Sequence, residues 1–289
     1  MKFRKSGVHD PLALESKRNI QPIEHAKLSQ FTRLNCLLGF VKKFYPEVLE
    51  EYTTNLQRRY DSLATTTYVQ RSTFDIVSLI SEFDSLKEFP DLALSNLNYL
   101  FQILQLPANV DLENDSFEIT QRIQLQAVLY HKYQNLFSLA NTIDRNEAIE
   151  LYKAYHDEFM RMTTSTQKDR FDNLEELAEQ WFQEDTISSP GLIRYVSEVK
   201  DGKLFLRKDT CLWNDAIEEL EDKELKYVIC CYGDYGAAKR DNKHFVMTMK
   251  HTIIEGHNYC DCVYHDTRVS TDLTHPSDDF FASIETESN

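Results

Sequence analysis

Glycine and proline are scarce, with seven of each in 289 residues. That scarcity argues against a chain built mainly of turns and strands. Together with abundant Leu, Glu and Gln it favours helix through most of the length. Basic residues are short as well, 32 Lys and Arg against 47 Asp and Glu, for a net charge of −15. Nucleic acid affinity rests on cations that neutralise phosphate. An anionic membrane surface makes the same demand, so neither partner is expected. No apolar run approaches the ~18 residues of a bilayer span. The opening residues MKFRKSGVHD lack the apolar stretch of a signal peptide. These absences point to a cytoplasmic protein. Cysteine is almost missing from the first 210 residues, where Cys36 stands alone. Six clustered, partly adjacent cysteines do not make a disulfide scaffold, and reduced thiols are expected.

What is present reads first as helix. Hydrophobic residues make up 42% of the chain, enough for a packed core in one large domain or two modest ones. Leu28, Phe31, Leu34, Leu37, Leu38 and Val41 recur at helical spacing. Pro46 opens PEVLEEYTTNLQRRY, where proline suits a first turn. Phe74, Val77, Leu79, Ile80 and Phe83 suggest a third helix, and Pro90 opens a fourth. The longest helical pattern spans 117–140, and Asp144 with Glu147 forms a capping signature before AIELYKAYHDEFM. TTSTQKD at 163–169 reads as a linker, NLEELAEQWF as another helix, and SSPG as a break.

Alternation replaces the helical period after residue 190. LIRYVSEV and KLFLRKDTC flank KDG, a hairpin signature. HFVMTMKHTII and YCDCVYHDT flank EGHN, where Gly256 supplies the positive φ such a turn requires. Strands are therefore expected near 192–199, 203–209, 245–254 and 259–265, in one antiparallel sheet. WNDAIEELEDKELKYVICC, between the hairpins, is helical in pattern. The expected organisation is an α+β chain. Residues 1–20 form a disordered leader and 21–165 a helical region. A compact region with a small antiparallel sheet flanked by helices spans 166–268. A disordered acidic tail, without Lys or Arg, spans 269–289.

Five of the six cysteines fall within 211–262, among acidic residues, histidines and a turn glycine. The order is Cys211 after a strand, Cys231-Tyr-Gly-Asp234, Thr252, Gly256, then Cys260-Asp261. In this order, carried by CLWNDAIEEL, CCYGD, HTIIEG and NYCDC, the chain resembles the L-2-amino-thiazoline-4-carboxylic acid hydrolase family. SSPGLIRYVSEVKDGKLFLRKDTC and DRNEAIELY resemble the same family, so the likeness covers residues 140–268. Two positions depart from the pattern. Met249, with Lys250 beside it, stands where the family has an arginine near the threonine, and Cys262 stands where an aromatic follows Cys-Asp.

The resemblance implies a hydrolase that opens a small cyclic amidine ring of the aminothiazoline carboxylate type, acting on C–N or C–S bonds without a cofactor. Such chemistry needs a nucleophile that reaches an sp² carbon, a base to activate it and an acid for the departing heteroatom. It also needs a group to hold the carboxylate. Cys231 and Cys260 are candidate nucleophiles and Asp234 a candidate proton carrier. Cys211, Thr252, Asp261 and His251 are candidate substrate-binding residues, and His257 is a further acid–base candidate. Asp261 follows Cys260 on a strand, so one of the two should face a one-sided pocket. A non-catalytic small-molecule-binding or interaction protein with the same pocket is the competing reading. Zinc on Cys211, Cys231 and Cys260 is a weaker alternative, because no C-x-x-C pair exists and Cys260-x-Cys262 is too tight. Oligomeric state is not fixed by the sequence.

Overall fold

The structure, a computed structural model, describes the chain apart from residues 8, 9, 11, 73, 108–110, 113, 165–168, 184–191 and 285–289. The described chain is α+β and divides into two compact units, Met1–Leu14 with Met160–Asn289, and Glu15–Phe159. It opens with strand β1 (Phe3–Ser6), whose partner lies nearly two hundred residues on. Strand β2 (Lys17–Ile20) begins the helical unit and pairs antiparallel with β3 (Phe117–Thr120).

Helix α1 (Pro22–His25) runs into a π-turn over Ala26–Phe31 and then α2 (Thr32–Phe44). In α2, Leu34, Leu37, Leu38 and Val41 are fully buried on one stripe. The π-turn breaks the 3.6 period, so Leu28, read as part of that stripe, is instead 72% exposed. Helix α3 (Leu49–Leu63) buries Tyr52, Leu56 and Tyr60. The third expected helix shrinks to the single turn α4 (Ile76–Leu79), capped by Asp75, with Val77 in solvent. Helix α5 (Pro90–Ile103) does start at its proline.

The pattern over 117–140 is two elements rather than one. Its first four residues are β3, and Thr120 caps α6 (Gln121–Ala140) by accepting the Ile123 N–H. Helix α7 (Arg145–Thr164) begins behind the Asp144 carboxylate, which accepts the N–H groups of Asn146 and Glu147.

Helix α8 (Leu174–Gln183) lies in the sheet unit, ahead of β4 (Arg194–Ser197) and β5 (Lys203–Lys208). These two strands form the KDG hairpin, with Asp201 and Gly202 at φ of 52° and 71°. Three helices follow: α9 (Leu212–Ala216), α10 (Lys223–Cys230) and α11 (Gly233–Asp241). Strands β6 (Phe245–Met249) and β7 (Cys260–Asp266) complete an antiparallel sheet of order β1-β4-β5-β7-β6. The strand expected to reach residue 254 stops at Met249. Thr252 caps a 3₁₀ turn over Ile253–Glu255, and Gly256 ends that turn at φ 100°.

Both faces of the sheet are covered. One packs Val196, Leu204, Leu206, Met247, Cys262 and Tyr264 beneath α8 and Ala238 of α11. The other packs Ile193, Tyr195, Phe205 and Val263 against Phe281 and Ile284. Two expectations are corrected here. The leader is not unpacked, since Phe3–Ser6 is a sheet strand bonded along β4. The acidic tail is not wholly disordered. Residues 278–282 form helix α12, Phe281 is fully buried, and Lys203 holds Asp272 at 2.6 Å. Composition gave too little weight to the aromatic pair Phe280-Phe281, which has an apolar face to cover. The unit boundaries also shift, from 21 and 165 to 15 and 159. Among the described residues no helix is long and apolar enough to cross a membrane.

Candidate functional site

The register of three strands builds the floor of a cavity. Arg194 of β4 lies opposite Lys208 of β5, and Lys208 lies opposite Cys260 of β7. Residues directly opposite in a ladder project to the same face. This row of cation, cation and thiol therefore stands on one side of the sheet. Helices α10 and α11 close over it. Cys231 caps the end of α10, and Asp234 stands in the first turn of α11, its backbone N–H bonded to the Cys231 carbonyl at 3.0 Å. Cys211 begins α9 as its N-cap, its Sγ accepting the Asn214 N–H at 3.4 Å. Together these residues line a cavity of about 180 Å³, with Leu206, Met249, Ile254 and Trp181 among its apolar walls.

Four of the seven expected site residues thus converge: Cys211, Cys231, Asp234 and Cys260. Thr252, Asp261 and His251 do not line the cavity. Thr252 is fully buried, and its hydroxyl serves the 3₁₀ turn, accepting the Glu255 N–H and donating to the Glu255 carboxylate at 2.8 Å. Asp261 points to the reverse face, as strand alternation requires once Cys260 faces the cavity. There its Oδ1 accepts the N–H groups of Lys250 and His251, each at 2.8 Å. Its Oδ2 accepts the His251 ring Nδ1 at 2.6 Å and lies 3.4 Å from His275 Nε2. His257 packs edge-on against the His251 ring at 4.4 Å.

Electrostatics separates the thiols. Burial pushes Cys231 well above the ordinary thiol range, and the neighbouring Asp234 carboxylate pushes in the same direction. Burial also raises Cys211 to about 12. Cys260 is raised by burial too, but the Lys208 ammonium and the Ile253 N–H, 3.3 Å from its sulfur, both pull against the rise. Of Cys211, Cys231 and Cys260, Cys260 is the thiol whose surroundings favour the anion most. Lys208 is kept cationic. Burial pulls its pKa down, but Asp234, 3.3 Å away, together with Cys262, Tyr264 and Cys260 more than offsets that and holds it well above the ordinary lysine value.

Arg194 and Lys208 escaped the sequence reading. Counting outward from the Asp201-Gly202 turn, where Lys200 faces Lys203, sets Arg194 against Asp209. The observed pairing of Arg194 with Lys208 is offset from that count by one residue, so the turn alone does not give it. Met249, in place of the family arginine, lines the cavity and touches Cys262, their sulfurs 3.6 Å apart. Lys250 turns away and donates to the Pro276 carbonyl at 3.2 Å. Among the described residues, no group of three or more His, Cys, Asp and Glu side chains is arranged to hold a metal ion. Searches of family models, of curated proteins and of solved structures return no match for this chain.

Proposed function

We propose that this protein is a hydrolase that opens the ring of a small cyclic amidine of the aminothiazoline carboxylate type. The observation that carries the reading is the convergence of Cys260, Lys208, Asp234 and Cys231, drawn from β5, β7 and two helices, on one small cavity. In this reading the Cys260 thiolate adds to the carbon between nitrogen and sulfur. The C=N electron pair moves to nitrogen, which takes a proton. Collapse of the tetrahedral carbon expels the ring heteroatom, which is also protonated. Water then displaces Cys260, and its oxygen remains on that carbon as a carbonyl. Lys208 stabilises the thiolate by its charge. Asp234 accepts hydrogen bonds from the amidinium. The order of preference between the two thiols follows from charge, since Asp234 opposes ionisation of Cys231 and Lys208 assists ionisation of Cys260.

A second reading has its own support. Burial raises the thiols at the cavity, and a thiol held neutral is a poor nucleophile. This favours a protein that binds such a compound without turning it over. The test is to incubate purified protein with aminothiazoline carboxylate and follow loss of the ring, with C260S, C231S and D234N in parallel. Ring opening that falls at least ~10³-fold in C260S and little in C231S supports the first reading. Opening at an equal rate in both cysteine variants replaces the thiol with an activated water. A ligand that binds and stays intact leaves the binding protein.

A further inference from the structure

Arg194 is the side chain in this cavity that the ring chemistry leaves unused. It is only 8% exposed, and its Nη1 is shut off from solvent without a hydrogen-bond partner. Arginine is always charged, and a buried unpaired charge is among the most costly features a fold can carry. Buried polar groups are nearly always satisfied, so an orphaned guanidinium facing a cavity asks for an explanation. The neighbouring charges do not supply one. The Asp234 carboxylate is engaged by Lys208, and Lys208 sits beside Arg194 across the β4–β5 ladder. Among its ionisable residues other than thiols and phenols, the lining therefore sets two cations against one carboxylate, in a chain whose net charge is −15. The remaining walls close to Arg194 are apolar or neutral, Leu192, Leu206 and Trp181 among them.

We infer that Arg194 is the anchor for a carboxylate on the ligand, and that it sets the specificity of the cavity for small carboxylate-bearing molecules over their counterparts without the carboxylate. A planar guanidinium with a free Nη1 matches a carboxylate with charge-assisted hydrogen bonds. Desolvation at this depth makes the pairing strong once both charges are present. Lys208 adds a second positive charge on the same row, so the potential at the β4–β5 end of the cavity favours the anion. Asp234, in α11, pairs with Lys208 and is the acceptor for an amidinium. A ligand held this way sets its carboxylate at Arg194 and its cationic ring toward Asp234. This inference rests on the proposed ring-opening function only for the choice of ring, since the anchor serves a bound ligand equally well without turnover.

The chain carries its own reporter. Its two tryptophans, Trp181 and Trp213, both line this cavity. The experiment titrates aminothiazoline carboxylate, and separately 2-aminothiazoline without the carboxylate, into the full-length protein while tryptophan fluorescence is read. Wild type is expected to bind the carboxylate at least ~10-fold more tightly than the ring without it, the scale of a desolvated charged hydrogen bond. R194M should lose that preference and bind both ligands with the weak affinity of the ring alone. R194K, which keeps charge without the fork, should retain part of it. Thermal unfolding of R194M should be unchanged or shifted upward, because an unpaired buried cation is replaced by an apolar side chain of similar length. Equal affinity of wild type for the two ligands overturns the inference, as does no response to either, or an R194M variant that keeps the preference. If R194M does not fold, the wild-type preference and its reduction in R194K decide the matter. Carboxylate binding lost in R194M with no ring opening in wild type upholds the anchor and removes the hydrolase. Ring opening that is indifferent to R194M and R194K does the reverse.

Discussion

Two buried charged residues on opposite faces of the five-stranded sheet, Asp261 and Arg194, are satisfied to different degrees. On the reverse face, Asp261 is 1% exposed and its carboxylate accepts from two backbone N–H groups and the His251 ring, with His275 Nε2 3.4 Å away. The Nε2 of His275 and the Nδ1 of His265 themselves have no hydrogen-bond partner among the described residues. Thr248 extends the network, its hydroxyl bridging His265 at 3.0 Å and His275 at 2.9 Å. On the cavity face, Arg194 is 8% exposed and its Nη1 has no partner among the described residues, beside the thiols that line the cavity. A buried carboxylate with three donors holds structure together. It ties the β6–β7 connection to the segment that brings α12 onto the sheet. A buried guanidinium without an acceptor stabilises nothing until a ligand arrives. Asp261 and Arg194 look equally functional in one dimension, and the satisfaction of their own hydrogen bonds is what tells these two apart.

The comparison breaks most easily at Asp261. D261A removes an acceptor from three donors and leaves His275, stacked on Phe281, without the neighbouring carboxylate. It should cost about 3–5 kcal/mol, the usual price of breaking a buried charged network. The urea midpoint measures this, with the slope checked for constancy. R194M is the matched substitution on the cavity face, where no loss is expected. A D261A protein that unfolds within ~1 kcal/mol of wild type would erase the distinction between the faces.

Next in size is an effect of acid, which extends the comparison to the helical unit. Burial pulls His131 down to about 4, although the carbonyls of Ala127 and Asn96 near its ring nitrogens resist the drop. An unfolded histidine titrates near 6.5. The unfolded chain therefore takes up the proton first, and the stabilisation is present above pH 6.5 and lost as pH falls toward 4. His265 on the reverse face has the same sign, pulled to about 4 by burial and by Lys203. Asp261 works in a lower window. Burial raises its pKa, but the donors from His275, His251 and Lys250 outweigh that and bring it to about 2. Its contribution is present above the unfolded carboxylate value near 4 and is lost as pH falls through 2. Unfolding between pH 7 and 4 should thus cost roughly 3 kcal/mol per buried histidine at most. H131Q should flatten that part of the pH dependence while leaving the loss below pH 4 in place. An H131Q profile that superimposes on wild type would show that His131 does not titrate on unfolding.

How much of this was legible in one dimension depends on the range of the contacts. The stripe Leu34, Leu37, Leu38 and Val41 and the Pro90 start are local, and periodicity gives them away. The Asp201-Gly202 turn announces the β4–β5 hairpin locally, but the strands pair one residue out of the register that Lys200 and Lys203 start, and no local signal reports that offset. The strand β3 hid inside a helical pattern because its stabilising partner, β2, lies about a hundred residues earlier. Likewise β1 and α12 are held by β4 and by the sheet's reverse face, and no local signal reports those partners. At the candidate site, four residues of the cysteine motif line one cavity, and strand alternation separates Cys260 from Asp261. It could not show that Thr252 spends its hydroxyl on Glu255, nor that Arg194 has nothing to bind.

The smallest effect on stability, and the one that sharpens the comparison most, is expected at Asp234. Its pair with Lys208 is 3.3 Å long, and its side chain is 39% exposed. Partly solvated pairs of this kind contribute about 1 kcal/mol or less, so D234N should unfold close to wild type. The ligand should feel the change in two directions. Removing a carboxylate from a cavity that already carries Arg194 and Lys208 raises its positive potential, so a small carboxylate should bind a few-fold more tightly. The same substitution removes the acceptor proposed for the amidinium, so turnover should fall while anion binding rises. It also removes a charge that disfavours ionisation of Cys231 and Cys260. Alkylation of both thiols at fixed pH, followed by mass mapping, should accelerate in D234N, with Cys231 gaining more because Asp234 is its leading charged neighbour. If D234N instead weakens carboxylate binding and leaves thiol alkylation unchanged, Asp234 acts as packing around Lys208 rather than as a charge in the cavity. The two faces would then differ less than their hydrogen bonds imply.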